Sequence, residues 1–138
     1  MKVINEFRGY NAYLSNFYNC KLMYQGRKYT CVENFFQAMK CENIEDMVKF
    51  KGLNGAESKR LGRRIKMRSD WNKIRVNVMY LALKLKFSQN EDLRIKLKGT
   101  VGYELIEGNN HGDTYWGVCN GVGENMLGKL LMKVRSEL

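Results

Sequence analysis

Apolar residues recur at three- and four-residue steps between Trp71 and Leu85, and this stripe commits the middle of the chain to one long helix. Its members are Trp71, Ile74, Val78, Leu81, Ala82 and Leu85. This spacing places all of them on one face of an α-helix that starts near Asp70. Because a helix with one apolar face has to bury that face, the chain must supply other elements to pack against it.

Shorter segments with cap and turn residues supply those elements. Thr30-Cys31-Val32-Glu33 has the form of a capping box, with Thr30 as the N-cap and Glu33 at the third helical position, and it predicts a helix to about Cys41. Further helices are predicted over 44–50, over 54–61, over 88–99 and from Leu127 through Val134. Strands are predicted on both sides of the turn at 25–27 and over 103–107.

The chain shows no sign of a second domain. It has 138 residues, no proline, no repeat and no low-complexity tract that would mark a linker. A chain of this length buries enough surface for one ordinary hydrophobic core. We therefore expect one domain over residues 1–138 of the α+β class, dominated by helices, with a small antiparallel sheet.

The charge of the chain is strongly positive, and this favours an anionic partner. Lys and Arg number 24 against 14 Asp and Glu, which gives a net charge of +10. Nucleic acid, nucleotides, phosphorylated metabolites and an acidic membrane surface all fit such an excess. The basic residues between 59 and 68 could grip phosphate, although a solvated face between two helices is the better interpretation of that block.

No segment predicts a membrane partner, and the expected location is the cytoplasm. No apolar run approaches the roughly 20 residues that a membrane span needs. Glu6 interrupts the N-terminus too early for a signal peptide. The four cysteines, Cys20, Cys31, Cys41 and Cys119, contain no C-x-x-C pair, so we expect reduced and mostly buried thiols. A zinc site built from them with His111 is poorly supported, and we expect no metal.

The first group that could carry chemistry lies on the helix predicted after Thr30. Glu33, Gln37 and Lys40 are four and three residues apart and share one helical face. An amine and a carboxylate beside one pocket suit nucleophilic and acid–base work at a sugar carbon. On spacing alone the simpler interpretation is favoured, in which Glu33 caps the helix and Lys40 is solvated at its end.

The second group is the polar, Gly-rich loop over 107–117. A base or ribose could stack on Trp116 while Asp113 and Glu107 accept hydrogen bonds from hydroxyls. Long polar loops that carry an aromatic residue are often functional, but an ordinary surface loop with Trp116 half in the core fits equally well. The glycines of 121–128 could form a phosphate cradle, but a capped helix start is the better interpretation. The aromatics Phe7, Tyr10, Tyr13, Phe17 and Tyr18 could stack bases, but we expect most of them in the core.

Several blocks, taken in order along the chain, resemble the YbiA/NADAR family. They are Phe7-Arg8-Gly9 with Leu14-Ser15-Asn16-Phe17-Tyr18, Tyr29-Thr30-Cys31-Val32-Glu33, Phe36-Gln37-Ala38-Met39-Lys40, residues 56–62 and 79–90, Leu105-Ile106-Glu107-Gly108-Asn109, Gly112-Asp113-Thr114-Tyr115-Trp116-Gly117, and residues 123–132 with Arg135. Each block alone is unspecific, but jointly they are specific and span almost the whole chain.

The resemblance implies a YbiA-like fold and N-glycosidase activity. Members of the family are described as hydrolysing ribosylamino-pyrimidine phosphates of early riboflavin synthesis, or as removing ADP-ribose from guanine in nucleic acid. The implied partner is therefore a phosphorylated, nucleotide-like small molecule or ADP-ribosylated nucleic acid, and no cofactor is implied. The oligomeric state is not predicted.

The resemblance also implies residue roles. Following the Schiff-base route proposed for the family, Lys40 attacks ribose C1, with Glu33 and Asp113 as the other catalytic residues. The implied substrate-binding residues are Arg8, Ser15, Asn16, Phe17, Gln37, Glu107, Trp116, Gly117 and Asn125. Lys59 and Arg60 are further candidates for phosphate. Lys40 has to lose its charge to react, whereas an ionised Glu33 nearby would keep it charged.

One position departs from the family's pattern. Asn34 stands where a histidine commonly follows the motif glutamate. Asparagine donates hydrogen bonds but cannot shuttle protons near neutral pH. If the position transfers a proton, activity suffers; if it only orients the glutamate, little changes.

Two functions without catalysis stay open beside the glycosidase. A basic module that binds ADP-ribose or nucleic acid would share the Trp116 loop but would not need Lys40. A general nucleic-acid binder would show a steep salt dependence and would tolerate substitution of Glu33.

Overall fold

The computed structural model describes residues 2–138, and helices dominate this part of the chain. The elements are β1 Lys2–Ile4, a 3-10 helix Gly9–Leu14, β2 Leu22–Tyr24, β3 Arg27–Tyr29, α1 Val32–Met39, α2 Ile44–Val48, α3 Gly55–Gly62, α4 Trp71–Gln89, α5 Glu91–Lys98, β4 Tyr103–Leu105, β5 Gly108–Asn109, β6 Val118–Cys119 and α6 Met126–Ser136. The predicted α+β class with helices in the majority is confirmed.

The elements divide into two compact units. The central unit covers residues 16–90, and the terminal unit combines the residues up to 15 with residues 91–138. The predicted single domain over 1–138 stays a prediction. None of the helices within residues 2–138 is both long and apolar enough to cross a membrane.

In the central unit, α1 is the buried core helix. It contacts α2, α3, α4 and β3. Val32, Phe35 and Ala38 are fully buried. Three polar residues of the same helix, Glu33, Asn34 and Gln37, are also buried. A helix enclosed on every side has no solvent face on which to place polar groups, so each of these side chains needs a partner inside the protein.

The small antiparallel sheet is the hairpin β2–β3. It pairs Leu22 with Tyr29 and Tyr24 with Arg27, and Gln25 and Gly26 form the turn. Both turn residues have positive φ, 49° and 78°, as a two-residue turn of type I′ requires. Two further strand pairs, β1–β4 and β5–β6, are parallel instead of antiparallel. Many elements separate β1 from β4 along the chain, whereas only the loop over 110–117 separates β5 from β6. Parallel strands cannot be joined by a tight hairpin turn.

In the terminal unit, α6 is tied to the segment before β4. Arg135 Nη1 donates to the carbonyl oxygens of Thr100 and Tyr103 at 2.9 and 2.8 Å and to Thr100 Oγ1 at 3.1 Å. Three hydrogen bonds from one guanidinium fix the helix against the strand pair β1–β4.

The 3-10 helix was not predicted from the sequence. It contacts α5, because the Tyr13 hydroxyl donates to the Lys96 carbonyl at 3.3 Å.

Some expected boundaries are wrong by a few residues. The N-cap of α1 is Cys31, whose Sγ accepts from the Asn34 N–H at 3.4 Å, and not Thr30. The Thr30 hydroxyl instead donates to the Leu53 carbonyl at 2.6 Å, so it is not free to cap. Helix α2 ends at Val48 and not at Phe50, and α5 starts at Glu91 because α4 continues to Gln89.

Two expectations about burial are also wrong. Tyr10, Phe17 and Tyr18 are exposed, so only Phe7 and Tyr13 of the N-terminal aromatics belong to the core. All four cysteines are free thiols, but only Cys31 and Cys41 are buried. The expectation that most of these residues lie inside the protein therefore fails for three aromatics and two cysteines.

Candidate active site

The buried carboxylate of the central unit is Glu33, and its neighbour on α1 holds it. Gln37 Nε2 donates to Glu33 Oε2 at 2.7 Å, across one helical turn. Both side chains are 8% exposed. A hydrogen bond this short to an ionised carboxylate is stronger than one between neutral groups. The shared helical face predicted for Glu33 and Gln37 is therefore present, and it positions the carboxylate.

The residues before the hairpin also reach this helix. The Glu33 N–H, one of the unsatisfied donors at a helix start, donates to the Asn16 carbonyl at 2.9 Å. Asn16 Nδ2 contacts the Met79 sulfur at 3.6 Å, and Asn16 Oδ1 is buried without a hydrogen-bond partner within residues 2–138. Phe17 is 42% exposed. Asn16 thus lies at the start of α1, directly beside Glu33.

Asn34 has a structural role in the same helix. It is fully buried, and its Nδ2 donates to the Phe50 carbonyl at 2.8 Å and to Ser58 Oγ at 3.0 Å. Its Oδ1 accepts from the Thr30 N–H at 3.1 Å. The amide therefore joins α1 to three other segments. This geometry favours the alternative in which the residue after Glu33 orients α1 and its glutamate and transfers no proton.

Lys40 is the first residue beyond α1, and its side chain is half-buried. The pKa of its ammonium is lowered from the ordinary value. Burial is the largest cause, Glu33 and the Cys41 thiol oppose it, and the charge on Arg63 adds to it. Desolvation therefore outweighs the attraction of Glu33, which answers the conflict that the sequence left open. A lysine with a lowered pKa has a larger neutral fraction at any given pH than an exposed lysine.

In the terminal unit, Asp113 organises the loop that carries Trp116. Its Oδ1 accepts from the N–H groups of Tyr115 and Trp116 at 3.1 and 2.9 Å. The rings of Tyr115 and Trp116 meet edge to face at 5.0 Å between centroids. Asp113 and Trp116 are both half-buried. The loop is therefore an ordered turn, and Asp113 uses one carboxylate oxygen to hold it.

Glu107 and Gly117 lie in direct contact in the same unit. A Cβ on Gly117 would overlap the Glu107 carboxylate, so only glycine fits at this position. Asn109 Nδ2 donates to Glu107 Oε2 at 3.1 Å and to the Asp113 carbonyl at 2.9 Å. Asn109 thus joins the two acidic residues predicted for the site, a role that the sequence did not indicate.

The start of α6 is closed and offers no phosphate cradle. The backbone N–H groups of Glu124, Asn125, Met126 and Leu127 donate to the carbonyls of residues 114–117, at 2.8 to 3.3 Å. A cradle needs such donors to be free for the anion. Asn125 is buried and also bridges the Glu107 N–H and the Leu105 carbonyl through its side chain.

Arg8 is exposed, and so are most residues of the basic block at 59–68. Arg68 pairs with Asp70 and Lys66 with Glu42, which agrees with the solvated face expected from the sequence. Ser15 is half-buried. The substrate contacts of Arg8, Ser15, Asn16, Phe17, Gln37, Glu107, Trp116, Gly117 and Asn125 stay predictions.

No role was predicted from the sequence for two buried residues of the central unit, Lys86 and Gly62. Lys86 is completely buried in α4, with its Nζ 5.2 Å from the Phe87 ring centroid and 5.8 Å from that of Tyr18. The sequence did contain a sign of this burial, because Lys86 follows Ala82 of the apolar stripe by four residues and therefore shares its helical face. Gly62 is buried against Gln37. No sequence pattern distinguishes it from a glycine that only ends a helix.

The central unit also contains a cavity of about 260 Å³ beside the hairpin and α2. Its lining includes Tyr24, Tyr29, Met39 and Arg68, and within residues 2–138 it includes none of the predicted site residues. Over the same described residues, no three His, Cys, Asp or Glu side chains are grouped as a metal site requires.

Comparison with known proteins gives consistent matches. A family model described as the NADAR domain matches residues 6–138. A riboflavin biosynthesis protein of Vibrio vulnificus is 36% identical over 93% of this chain, which spans only 36% of that protein's length. The N-glycosidase YbiA of Shigella sonnei is 33% identical over 99% of this chain and 88% of its own length. The NMR structure of Escherichia coli YbiA superposes with a TM-score of 0.89 at 30% identity, over 99% of this chain and 84% of that one.

Proposed function

Because the chain belongs to the NADAR family, we propose that it is an N-glycosidase, which hydrolyses the bond between ribose C1 and a base nitrogen. Its substrate is a phosphorylated ribosyl-base compound. Relatives named as riboflavin biosynthesis proteins favour a ribosylamino-pyrimidine phosphate. ADP-ribosylated guanine is the other substrate of the same chemical class, since it also joins a ribose C1 to a nitrogen.

The half-buried Lys40 is the observation that carries this proposal. Burial lowers the pKa of its ammonium, and its side chain interacts electrostatically with the buried Glu33. An ordinary lysine, with a pKa of about 10.4, is almost entirely protonated at neutral pH and cannot attack carbon. A depressed pKa makes the amine available as a nucleophile.

The proposed reaction proceeds through an imine. The lone pair of Lys40 Nζ attacks ribose C1, the C1–N bond breaks, and the base leaves with the bonding electrons and takes up a proton. The nitrogen then forms a C1=N double bond while the ring C1–O bond breaks and its oxygen is protonated. Water adds to the imine and releases the open sugar, which regenerates the amine. Glu33, held by Gln37, is the group that moves protons in these steps.

No metal enters this mechanism, because C1 of a ribosylamine is already an activated carbon. The chain's own contribution is to exclude water from the amine and to hold the carboxylate beside it. Both effects are local to α1 and the residue that follows it, which lies within the match to the family.

Mass spectrometry of the products tests the proposal. The chain is incubated with a ribosylamino-pyrimidine phosphate and, separately, with an oligonucleotide carrying ADP-ribosylated guanine. We expect release of the free base from one of them, loss of that release in Glu33→Gln, and retention in Asp92→Asn, a change of an exposed carboxylate on α5. Release from neither compound would contradict the proposal.

The same samples separate the enzyme from a binding module. Titration calorimetry with ADP-ribose measures binding without turnover. Binding without base release from either compound would establish the non-catalytic alternative. Affinity for unmodified oligonucleotide that falls steeply with salt and ignores Glu33→Gln would establish a general nucleic-acid binder.

A further inference from the structure

Gly62, the last residue of α3, lies so close to α1 that no larger residue fits. A Cβ built on Gly62 would overlap Gln37 Oε1 and would lie 2.7 Å from Gln37 Cδ. Its backbone is not the reason for the glycine, because its φ lies outside the left-handed region. The requirement is therefore space for one side chain, the amide of Gln37.

The face of α3 that carries Gly62 is built from small residues. Gly55, Ser58 and Gly62 are three and four residues apart and lie on one side of the helix. A Cβ on Gly55 would lie 2.7 Å from the Phe17 ring, and Ser58 Oγ accepts from Asn34. Each small residue of this face thus accommodates one larger side chain, and two of these, Asn34 and Gln37, belong to α1 together with Glu33.

The Gln37 amide has one favourable orientation in this environment. Nε2 donates to Glu33 Oε2 at 2.7 Å, while Oε1 faces Gly62 and has no hydrogen-bond partner within residues 2–138. A flipped amide would place its oxygen against the carboxylate, and two acceptors repel. A buried acceptor without a partner is unfavourable, so the fold tolerates this loss to keep the donation to Glu33.

We propose that Gly62 is a positioning residue for the reaction: because it lacks a side chain, the Gln37 amide lies beside α3 and holds the Glu33 carboxylate. This inference rests on the proposed function of Glu33. With a methyl group at residue 62, Gln37 has to rotate away, and the 2.7 Å hydrogen bond to Glu33 is lost. The carboxylate then loses the donor that fixes its position relative to Gln37, although the fold and the amine of Lys40 remain.

Steady-state kinetics of Gly62→Ala, Gln37→Ala and the double variant test the contact, with the compound that the wild type cleaves. We expect Gly62→Ala to lower kcat roughly 10- to 100-fold with an unchanged KM, as for a misplaced catalytic group. In the Gln37→Ala background, Gly62→Ala should have no further effect on kcat. Gly99→Ala adds the same methyl group at an exposed site after α5 and should match the wild type.

The side-chain amide resonances of Gln37 provide a readout that does not need activity. In the wild type, one amide proton should be shifted downfield and protected from exchange by its bond to the carboxylate. This signal should move in Gly62→Ala and stay in place in Gly99→Ala. If the wild type cleaves neither compound, the proposed function fails, but this signal still decides whether Gly62 positions the amide.

The outcomes are separable. Any one of three results would overturn the proposal. They are an unchanged kcat in Gly62→Ala, an unmoved Gln37 amide signal in that variant, and a loss of kcat on Gly62→Ala that is equally large with and without Gln37. If Gly62→Ala does not fold, the double variant decides: restored folding in Gly62→Ala with Gln37→Ala supports the contact. An unfolded double variant shows that Gln37 is not the reason for the glycine, and it overturns the proposal as well.

Discussion

Lys86 shows how strongly one residue can couple stability to pH. It is fully buried in α4, and burial lowers the pKa of its ammonium to about 8, with the Cys20 and Cys31 thiols opposing the shift. In the unfolded chain its pKa is about 10.4. Below pH 8 both states carry the proton, and the folded state bears the cost of a buried charge. Between pH 8 and 10 only the unfolded state keeps the proton, so the free energy of unfolding rises with pH.

Replacing Lys86 with methionine should remove this dependence. Lys86→Met keeps the length of the side chain without its charge, so we expect the free energy of unfolding at pH 7 to increase by about 1–3 kcal/mol. Urea titrations at pH 7 and pH 9 measure the effect. The gain over the wild type should be smaller at pH 9. A variant that is less stable than the wild type at pH 7 would show that the buried charge is not a cost.

Asn34 should be essential for folding stability. Its amide is fully buried and makes three hydrogen bonds, to Thr30, Phe50 and Ser58. Asn34→Ala leaves buried groups unpaired, and we expect a loss of about 3 kcal/mol in the free energy of unfolding. Asn110→Ala, at an exposed asparagine, is the matched control and should change stability by less than about 0.5 kcal/mol. Thermal unfolding measured by circular dichroism compares them.

At this scale the sequence predicted a shared helical face but not the contacts that its residues make. The spacing of Glu33 and Gln37 on one helical face was readable, and the hydrogen bond between them is present. The roles of Asn109 and Gly62 were not readable, because each depends on a neighbour distant in sequence or on a close approach that residue type alone does not encode. The depressed pKa of Lys40 likewise depends on burial, which spacing does not give.

At the scale of single elements, the hairpin β2–β3 contains a suboptimal turn residue. Gln25 adopts φ of 49°, a conformation that costs a residue with an ordinary side chain about 1 kcal/mol. Asparagine is preferred at this position of a type I′ turn. We therefore expect Gln25→Asn to raise the free energy of unfolding by roughly 0.5 kcal/mol. Gly26→Ala, at φ of 78°, should lower it, and equal effects of the two changes would contradict the turn assignment.

The long helix α4 was predicted correctly as an element, and its buried face was predicted in part. Trp71 and Ala82 of the predicted stripe are buried, whereas its other members are only half-buried. Further enclosed residues lie beside the stripe, at Met79, Leu83 and Phe87. Periodicity identifies a helix, but when apolar residues occupy more than one face, the packing partners decide which face is enclosed.

At the scale of the whole molecule, the resemblance to a family was more informative than composition. The charge of +10 is compatible with nucleic acid, nucleotides and metabolites alike. The match over residues 6–138 and the superposition on YbiA give the fold class and the reaction class together. The parallel pair β1–β4 could not be predicted, because it joins segments at opposite ends of the chain. The pair β5–β6 has strands of only two residues, which leave no alternating pattern in the sequence.

The proposed enzyme depends on a neutral amine at Lys40 that bonds to ribose C1, and reductive trapping tests this directly. The chain is incubated with each candidate compound and sodium borohydride, and its intact mass and peptides are measured. We predict a substrate-dependent adduct on Lys40, equal to the sugar less one water plus two hydrogens, and its absence in Lys40→Ala. A wild-type chain that releases the base but carries no adduct would contradict the imine mechanism.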